Sequence, residues 1–359
     1  MSEAERDSRR VWLLTDDRPG NRSQAIGAAR ALGLPFDEKR LAFNGRAKLP
    51  APLLGATLAT LDEASRATIA APWPDLVIGA GRRVAPVARF VKEAGGAKVA
   101  LIGRRTPGTF ADLVVRCAYF TQTADPGLLE VVLPPTKVDA EALSAAASGR
   151  DPFEGLPRPR CVALVGGPTG RHLFSDACAG RLGRDLASAA GRSGVALAML
   201  TSRRTPASAV EALREAAPRA LLIPWRPDAP ADLVLAALAH VDVIAVTGES
   251  ESMLAEAAAT GKPLTILPLP EKPGGFQQRL FDRVGATALG GGPLAACARG
   301  AMRYGWVSPR RDLKVLHAMI EAKGWGRVFD GELNRDAPEP RDEGRLVRDR
   351  LAALLGAQR

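Results

Sequence analysis

Five short loops carry the residues whose types and spacing could do chemistry. The first, TDDRPGNRSQAIG at residues 15–27, sets Asp16 and Asp17 side by side at the end of an apolar run. A carboxylate in that place can take a proton from a hydroxyl. Gly20 can adopt a backbone shape closed to other residues. Asn21 or Ser23 can cap the helix that follows, whose open N–H groups can meet an anion. Arg18 and Gln24 add a cation and an amide, and the whole is richer than a solvated turn requires. The second loop is GGPTGRH, residues 166–172. Gly166 and Gly167 permit close backbone approach, and Thr169 and Arg171 can bond a phosphate. It is not a Walker loop, because no GK[ST] follows at the required spacing. His172 alone reads as structural.

The third loop, TSRRTP at 201–206, places Ser202, Arg203 and Arg204 at a strand's end. Thr205 is expected to cap the next helix, with Pro206 at its first position. The fourth, TGESESMLAEAAATGKP at 247–263, runs from a strand through Thr247 into a helix. Ser250 and Ser252 are expected to cap that helix and hold phosphate oxygens at its positive end. Glu256 lies one to two turns inside, where a carboxylate can accept both hydroxyls of a ribose. The competing reading is a surface glutamate on an alanine-rich helix. The fifth, PEKPGGFQQRLFD at 270–282, opens a helix with Gln277 and Gln278, whose neutral amides suit sugar hydroxyls.

Strands and helices must hold these loops, and the chain alternates them twice. Apolar runs at 11–15, 74–81 and 97–103 read as strands, with helices at 21–32 and 84–94. The pattern restarts at 160–167 and continues through strands at 194–202 and 241–248, with helices at 175–190, 206–217, 229–239 and 250–260. Strands alternating with helices of this length predict parallel sheets covered on both faces. The proline-rich stretch 134–159 reads as a linker. The expected fold class is α/β, with two Rossmann-like domains facing across a cleft. The domains expected are an acceptor-side domain over 1–150 and a nucleotide-sugar domain over 151–308, with C-terminal helices over 309–359 packing back on the first. In such sheets ligands bind beyond the carboxyl ends of the strands.

Composition sets the outer limits. The chain has 359 residues, 46% hydrophobic and 25% charged, which excludes a mostly disordered protein. No apolar stretch reaches a membrane span. The polar start MSEAERDSRR lacks a secretory core, so the expected location is the cytoplasm. Four scattered cysteines and three scattered histidines predict neither a disulfide framework nor a metal site. The net charge of +10 is uneven. Arg82, Arg83, Arg104 and Arg105 lie in a basic stretch that suits an anionic partner, a nucleotide or a lipid phosphate, and that could approach an anionic lipid acceptor or membrane surface. Nucleic acid is not expected, because no RNA- or DNA-binding signature interleaves aromatic and basic residues.

Together the five loops resemble the nucleotide-sugar glycosyltransferases of the GT-B architecture. Among these, the bacterial family that adds N-acetylglucosamine to lipid-linked peptidoglycan precursors shows a Gly-Ser loop before a helix bearing a ribose-binding Glu. SESMLAEAAATGKP is similar, so Glu256 inherits that role, and Gln277 and Gln278 fall near the donor sugar. The resemblance implies a donor set of Gly166, Gly167, Thr169, Arg171, Ser202, Arg203, Arg204, Thr247, Ser250, Ser252, Met253 and Glu256. A resemblance covering most of the chain is to the mitochondrial fission family, named for an elongated-mitochondria phenotype. TDDRPGNRSQAIGAARALGLP, GGPTG, TSRRTP and SMLAEAAATGKP carry it, in the same order. One departure is Glu249, which stands where the family pattern has Asp. Another is Asp16 and Asp17, which replace the Gly-Gly-His loop of the peptidoglycan enzymes.

These resemblances imply a metal-independent, inverting glycosyltransferase that needs no cofactor beyond its nucleotide-sugar, with UDP favoured. Asp16 or Asp17 is expected to act as base. The acceptor, lipid-linked in this reading, would meet Arg18, Gly20, Asn21, Gln24 and the four arginines of the basic stretch. Two alternatives stand beside it: a non-catalytic scaffold at a membrane or division machinery, and a nucleotide-sugar epimerase sharing the same donor site. A short-chain dehydrogenase is disfavoured for want of a GxGxxG with its acidic ribose partner.

Overall fold

The computed structural model describes residues 9–49, 51–103, 110–119, 127–304, 306–307 and 312–356. Their contacts divide the chain into two units. One comprises residues 1–137, 275–312 and 342–359; the other comprises 138–274 and 313–341. Each is built on its own six-stranded sheet, and all neighbouring strands are parallel.

In the first unit the strands are β1 (Val11–Thr15), β2 (Phe36–Arg40), β3 (Leu76–Ala80), β4 (Lys98–Ile102), β5 (Leu113–Cys117) and β6 (Leu128–Val131), in the order β2-β1-β3-β4-β5-β6. VWLLT and LVIGA are buried throughout, as strands covered on both faces must be. The edge strand β2, FDEKR, is charged and half-exposed, which discourages pairing with another chain. Helix α1 (Pro19–Leu32) returns the chain from β1 and ends at Gly33, whose φ of 71° is left-handed backbone that favours glycine. One face of the sheet packs on α1 and on the C-terminal helix Glu343–Gly356, which contributes Val347, Leu351 and Leu355. The other face packs on α2 (Ala85–Gly95) through Val87, Ala88 and Val91.

The second unit holds β7 (Arg160–Val165), β8 (Ala196–Thr201), β9 (Leu221–Ile223), β10 (Val243–Thr247), β11 (Leu264–Leu267) and β12 (Arg327–Val328), in the order β12-β11-β10-β7-β8-β9. Helices α3 (Asp176–Ser193) and α4 (Ala207–Ala216) cover one face. They approach closely at Gly183, where a Cβ would come within 2.9 Å of the Ala216 Cβ. Helix α5 (Glu251–Ala258) follows β10.

Three features differ from the sequence expectation. The stretch 134–159 is not a plain linker: Asp139 caps a helix at Ala140–Ala147, which packs on the helix Leu233–Ala239. Residues 275–312, with the helices α6 (Phe276–Ala288) and α7 (Gly292–Arg303), group with the first unit. The tail expected to be helical divides between the units. Its helix α8 (Leu313–Ala322) and strand β12 join the second, and Glu343–Gly356 joins the first. Among the described residues no helix is long and apolar enough to cross a membrane.

Candidate functional site

A parallel sheet opens a crevice where successive connections leave in opposite directions. In the second unit that switch point lies between β7 and β10, because β8 and β9 extend one way and β11 and β12 the other. The loops after β7, β8 and β10 meet there around Glu249. Its side chain is fully buried, and its Oε1 accepts from the Gly167 N–H (3.1 Å) and the Arg204 guanidinium (2.9 Å). Burial pushes its carboxyl above the usual range, against the pull of Arg204. Thr247 accepts from the Gly166 N–H (2.8 Å). Thr205 reaches the Gly166 carbonyl and accepts from the Ser202 N–H (3.0 Å).

The glycine pair is a steric requirement. A Cβ on Gly166 would lie 1.7 Å from Glu249 Oε1, and one on Gly167 would lie 2.3 Å from the Arg204 carbonyl. Gly248 is similar, because a Cβ there would lie 2.4 Å from the His317 ring. That ring, on α8, donates from Nε2 to the Gly248 carbonyl (2.9 Å). Sequence reasoning missed Glu249 and His317 as parts of this site. The sequence marks Glu249 only as a departure from the family pattern. The signal for its burial lies in the Gly166-Gly167 pair 82 residues upstream of it.

Gly166, Gly167, Ser202, Arg204, Thr247 and Ser250 thus come together, and the expected details change. Thr205 does not cap α4; Pro206 occupies that position, and Thr205 is a tie to Gly166. Ser250 is the N-cap of α5 but makes no side-chain capping bond, and Ser252 lies within the first turn rather than before it. Thr169 is engaged locally: its hydroxyl meets His172 Nδ1 (3.0 Å) and accepts from the N–H groups of Arg171 (3.2 Å) and His172 (3.0 Å). His172 is buried and bridges to Glu271, which pins the 166–172 loop to the chain after β11. Arg203 is exposed, while Arg171, Met253 and Glu256 are half-buried, with Met253 and Glu256 on α5. Gln277 and Gln278 lie on α6, grouped with the first unit and not with the other expected donor residues. Gln278 donates to Asp282 one turn on (2.8 Å). Among the described residues no three His, Cys, Asp or Glu side chains gather as metal ligands.

The first unit has its own switch point, between β1 and β3. Asp16 is buried there and accepts from the Arg18 N–H (3.1 Å) and, at both oxygens, from the Asn21 amide (3.1 Å). Burial raises its carboxyl above the usual range despite those bonds. Gly81, after β3, has a φ of 87°, and a Cβ on it would lie 2.4 Å from the Asn21 amide nitrogen. Asp17 is exposed and paired with Arg83 (2.8 Å). The helix begins at Pro19, so Gly20 lies in its first turn with no left-handed φ, and Asn21 and Ser23 do not cap it. Ser23 instead meets Thr136 (3.1 Å). Gln24 is half-buried on α1, and Arg18 is its exposed N-cap. Arg82 donates to the Leu49 (2.6 Å) and Ala47 (2.8 Å) carbonyls. The expected basic acceptor surface is therefore held by internal bonds at Arg82 and Arg83. Arg104 and Arg105 lie outside the described residues.

The sequence model described as mitochondrial fission ELM1 matches residues 19–291. The chain belongs to that family. No curated protein matches it by sequence. Among solved structures, the chain resembles a UDP-GlcNAc 2-epimerase from Methanocaldococcus jannaschii at 10% identity and a TM-score of 0.50, over 96% of this chain and 99% of that one. It also resembles MnaA of S. aureus, solved with UDP (10% identity, TM-score 0.45, 88% of this chain and 96% of that one). MurG of Acinetobacter baumannii is similar too (13%, 0.41, 97% and 92%). The likeness to the archaeal epimerase, together with the two parallel sheets, shows the fold. This ELM1-family chain has the two Rossmann-like units of the GT-B architecture.

Proposed function

We propose that this ELM1-family protein is a GT-B-type glycosyltransferase whose second unit binds a nucleotide-diphosphate sugar, with UDP preferred. The observation that carries this reading is the junction of three strand-end loops at the β7/β10 switch point, where Glu249 fixes the Gly167 N–H and Arg204. Such crevices are where α/β sheets bind nucleotides. Glu256, half-buried on α5, takes the ribose hydroxyls. Arg171, Arg203 and the start of α5 take the charge that grows on the leaving diphosphate. Cations and N–H groups in that role support departure without a metal.

The transfer inverts configuration in one displacement. The acceptor oxygen attacks the anomeric carbon, its proton passes to Asp16, and the nucleoside diphosphate leaves. Two properties support Asp16 over Asp17 as base. Its carboxyl is raised toward working pH, and Asp17 is already held by Arg83. The acceptor is a hydroxyl compound, lipid-linked in this reading, and the protein works in the cytoplasm at the inner membrane surface.

Calorimetric titration of UDP, GDP and a set of UDP-sugars into the full chain and into Glu256→Ala tests the donor site. The expected result is micromolar binding of one nucleotide, lost in the variant. Absence of binding to every nucleotide overturns the reading and leaves a scaffold role.

A further inference from the structure

Large apolar side chains are most exposed in one stretch, residues 276–306. Phe276 is 85% exposed, Leu294 78% and Leu289 69%, and Leu280, Tyr304 and Trp306 are each about half-exposed. On α6, Phe276, Arg279, Leu280, Arg283 and Thr287 are all exposed at spacings of three and four, so they share one face. The opposite face buries Gly285 and Ala288. Helices α6 and α7 pack on each other, joined by a short connection. Arg299 closes that connection by donating to the carbonyls of Ala288 (3.0 Å) and Gly290 (3.1 Å). The pair is therefore a braced hairpin. Leu289 and Leu294 stand at its tip, Phe276 and Tyr304 at its base, and Arg279 and Arg283 lie between.

The charge of this hairpin is as one-sided as its apolar exposure. Residues 276–304 contain four arginines and a single acid, Asp282. A second copy of the chain is a poor occupant, because a two-fold pairing of this face would set arginines against arginines. A nucleic acid would meet the arginines but would leave Leu289 and Leu294 without a partner. Exposed aliphatic side chains, basic groups on the same helix and a flanking Tyr and Trp match the interface of an anionic bilayer. There the apolar groups enter the headgroup boundary, the arginines meet lipid phosphates, and the aromatic rings lie at headgroup depth.

We infer that the α6–α7 hairpin is a membrane-docking surface for anionic phospholipid. The inference is independent of whether the protein transfers sugar.

Co-sedimentation of the full chain with vesicles of phosphatidylglycerol and phosphatidylcholine, against vesicles of phosphatidylcholine alone, is the test. The chain is expected to bind the anionic vesicles and not the neutral ones, with binding weakened by salt. The double variant Leu289→Asp/Leu294→Asp is expected to lose binding about tenfold or more. Arg279→Glu and Arg283→Glu should each lose it at least about fivefold. These side chains are exposed, and an unchanged thermal unfolding midpoint shows that the variants fold. A blue shift of tryptophan emission on vesicle binding, absent in Trp306→Phe, places the hairpin in the bilayer. Absence of binding, equal binding to neutral vesicles, or binding unaffected by the hairpin variants overturns the inference. Equal affinity for a single-stranded oligonucleotide also overturns it, as does a dimer in solution that the same variants dissolve.

Discussion

The two switch points each hold a buried acid, but they are built in opposite senses. In the first unit Asp16 follows the unit's first strand and is bonded by its own loop and helix, through the Arg18 N–H and Asn21. In the second, Glu249 follows β10 and is bonded by the loops after β7 and β8, through Gly167 and Arg204. The strand orders differ accordingly: β2-β1-β3 is the flavodoxin-like arrangement, and three strands on either side of the β7/β10 boundary make the dinucleotide-binding one. An acid bonded within a single loop can exchange its proton without disturbing the sheet. An acid bonded by two loops other than its own is a fastener, and moving it moves the site. In the proposed function this contrast goes with proton transfer at Asp16 and positioning by Glu249.

Substitutions can break that contrast. The largest effect is expected at Asp16. Asp16→Asn should lower turnover about 10²- to 10⁴-fold while nucleotide affinity stays unchanged, as read by steady-state kinetics beside titration. Turnover of the native chain should also rise as pH climbs through the Asp16 pKa, which lies above the ordinary 3.8. An equal loss of turnover in Asp17→Asn, with Asp16→Asn fully active, would reverse the roles.

Next is Gly166→Ala. Its Cβ would overlap Glu249 Oε1, so it should cost about 1–3 kcal/mol in denaturant unfolding and abolish nucleotide binding with it. A smaller effect follows from titration. The folded-state pKa of Glu249 is raised, so its contribution to stability is greatest below the ordinary value of 4.5 and is lost as pH rises through the folded value. Glu249→Gln escapes that loss. Its stability relative to the native chain should climb across this window, measured by unfolding at a series of pH values. The smallest effect is at the exposed Asp17–Arg83 pair, where Asp17→Asn should change stability by about 1 kcal/mol or less.

The sequence made the alternation of strands and helices legible because buried parallel strands such as VWLLT and RCVALV are apolar at every position but one, Thr15 in the first and Arg160 in the second. It made the site loops legible because they follow those strands. It hid β12, whose two residues Arg327 and Val328 carry no apolar run. It hid the grouping of residues 275–312 with the first unit, since partners far along the chain decide that grouping. It also hid the role of Glu249. A charge becomes a buried fastener only when a glycine pair distant in sequence leaves room for it. The helix at Ala140–Ala147 did have a signal, in Asp139 and the alanine-rich run after it, but the prolines on either side made the stretch read as linker.

The most direct test of the central claim is a paired calorimetric titration of UDP into Arg204→Ala and Asp16→Asn beside the native chain. Nucleotide affinity should fall about tenfold or more in the first and stay at the native value in the second. Loss of affinity in Asp16→Asn with Arg204→Ala unaffected would contradict the assignment of nucleotide binding to the second unit.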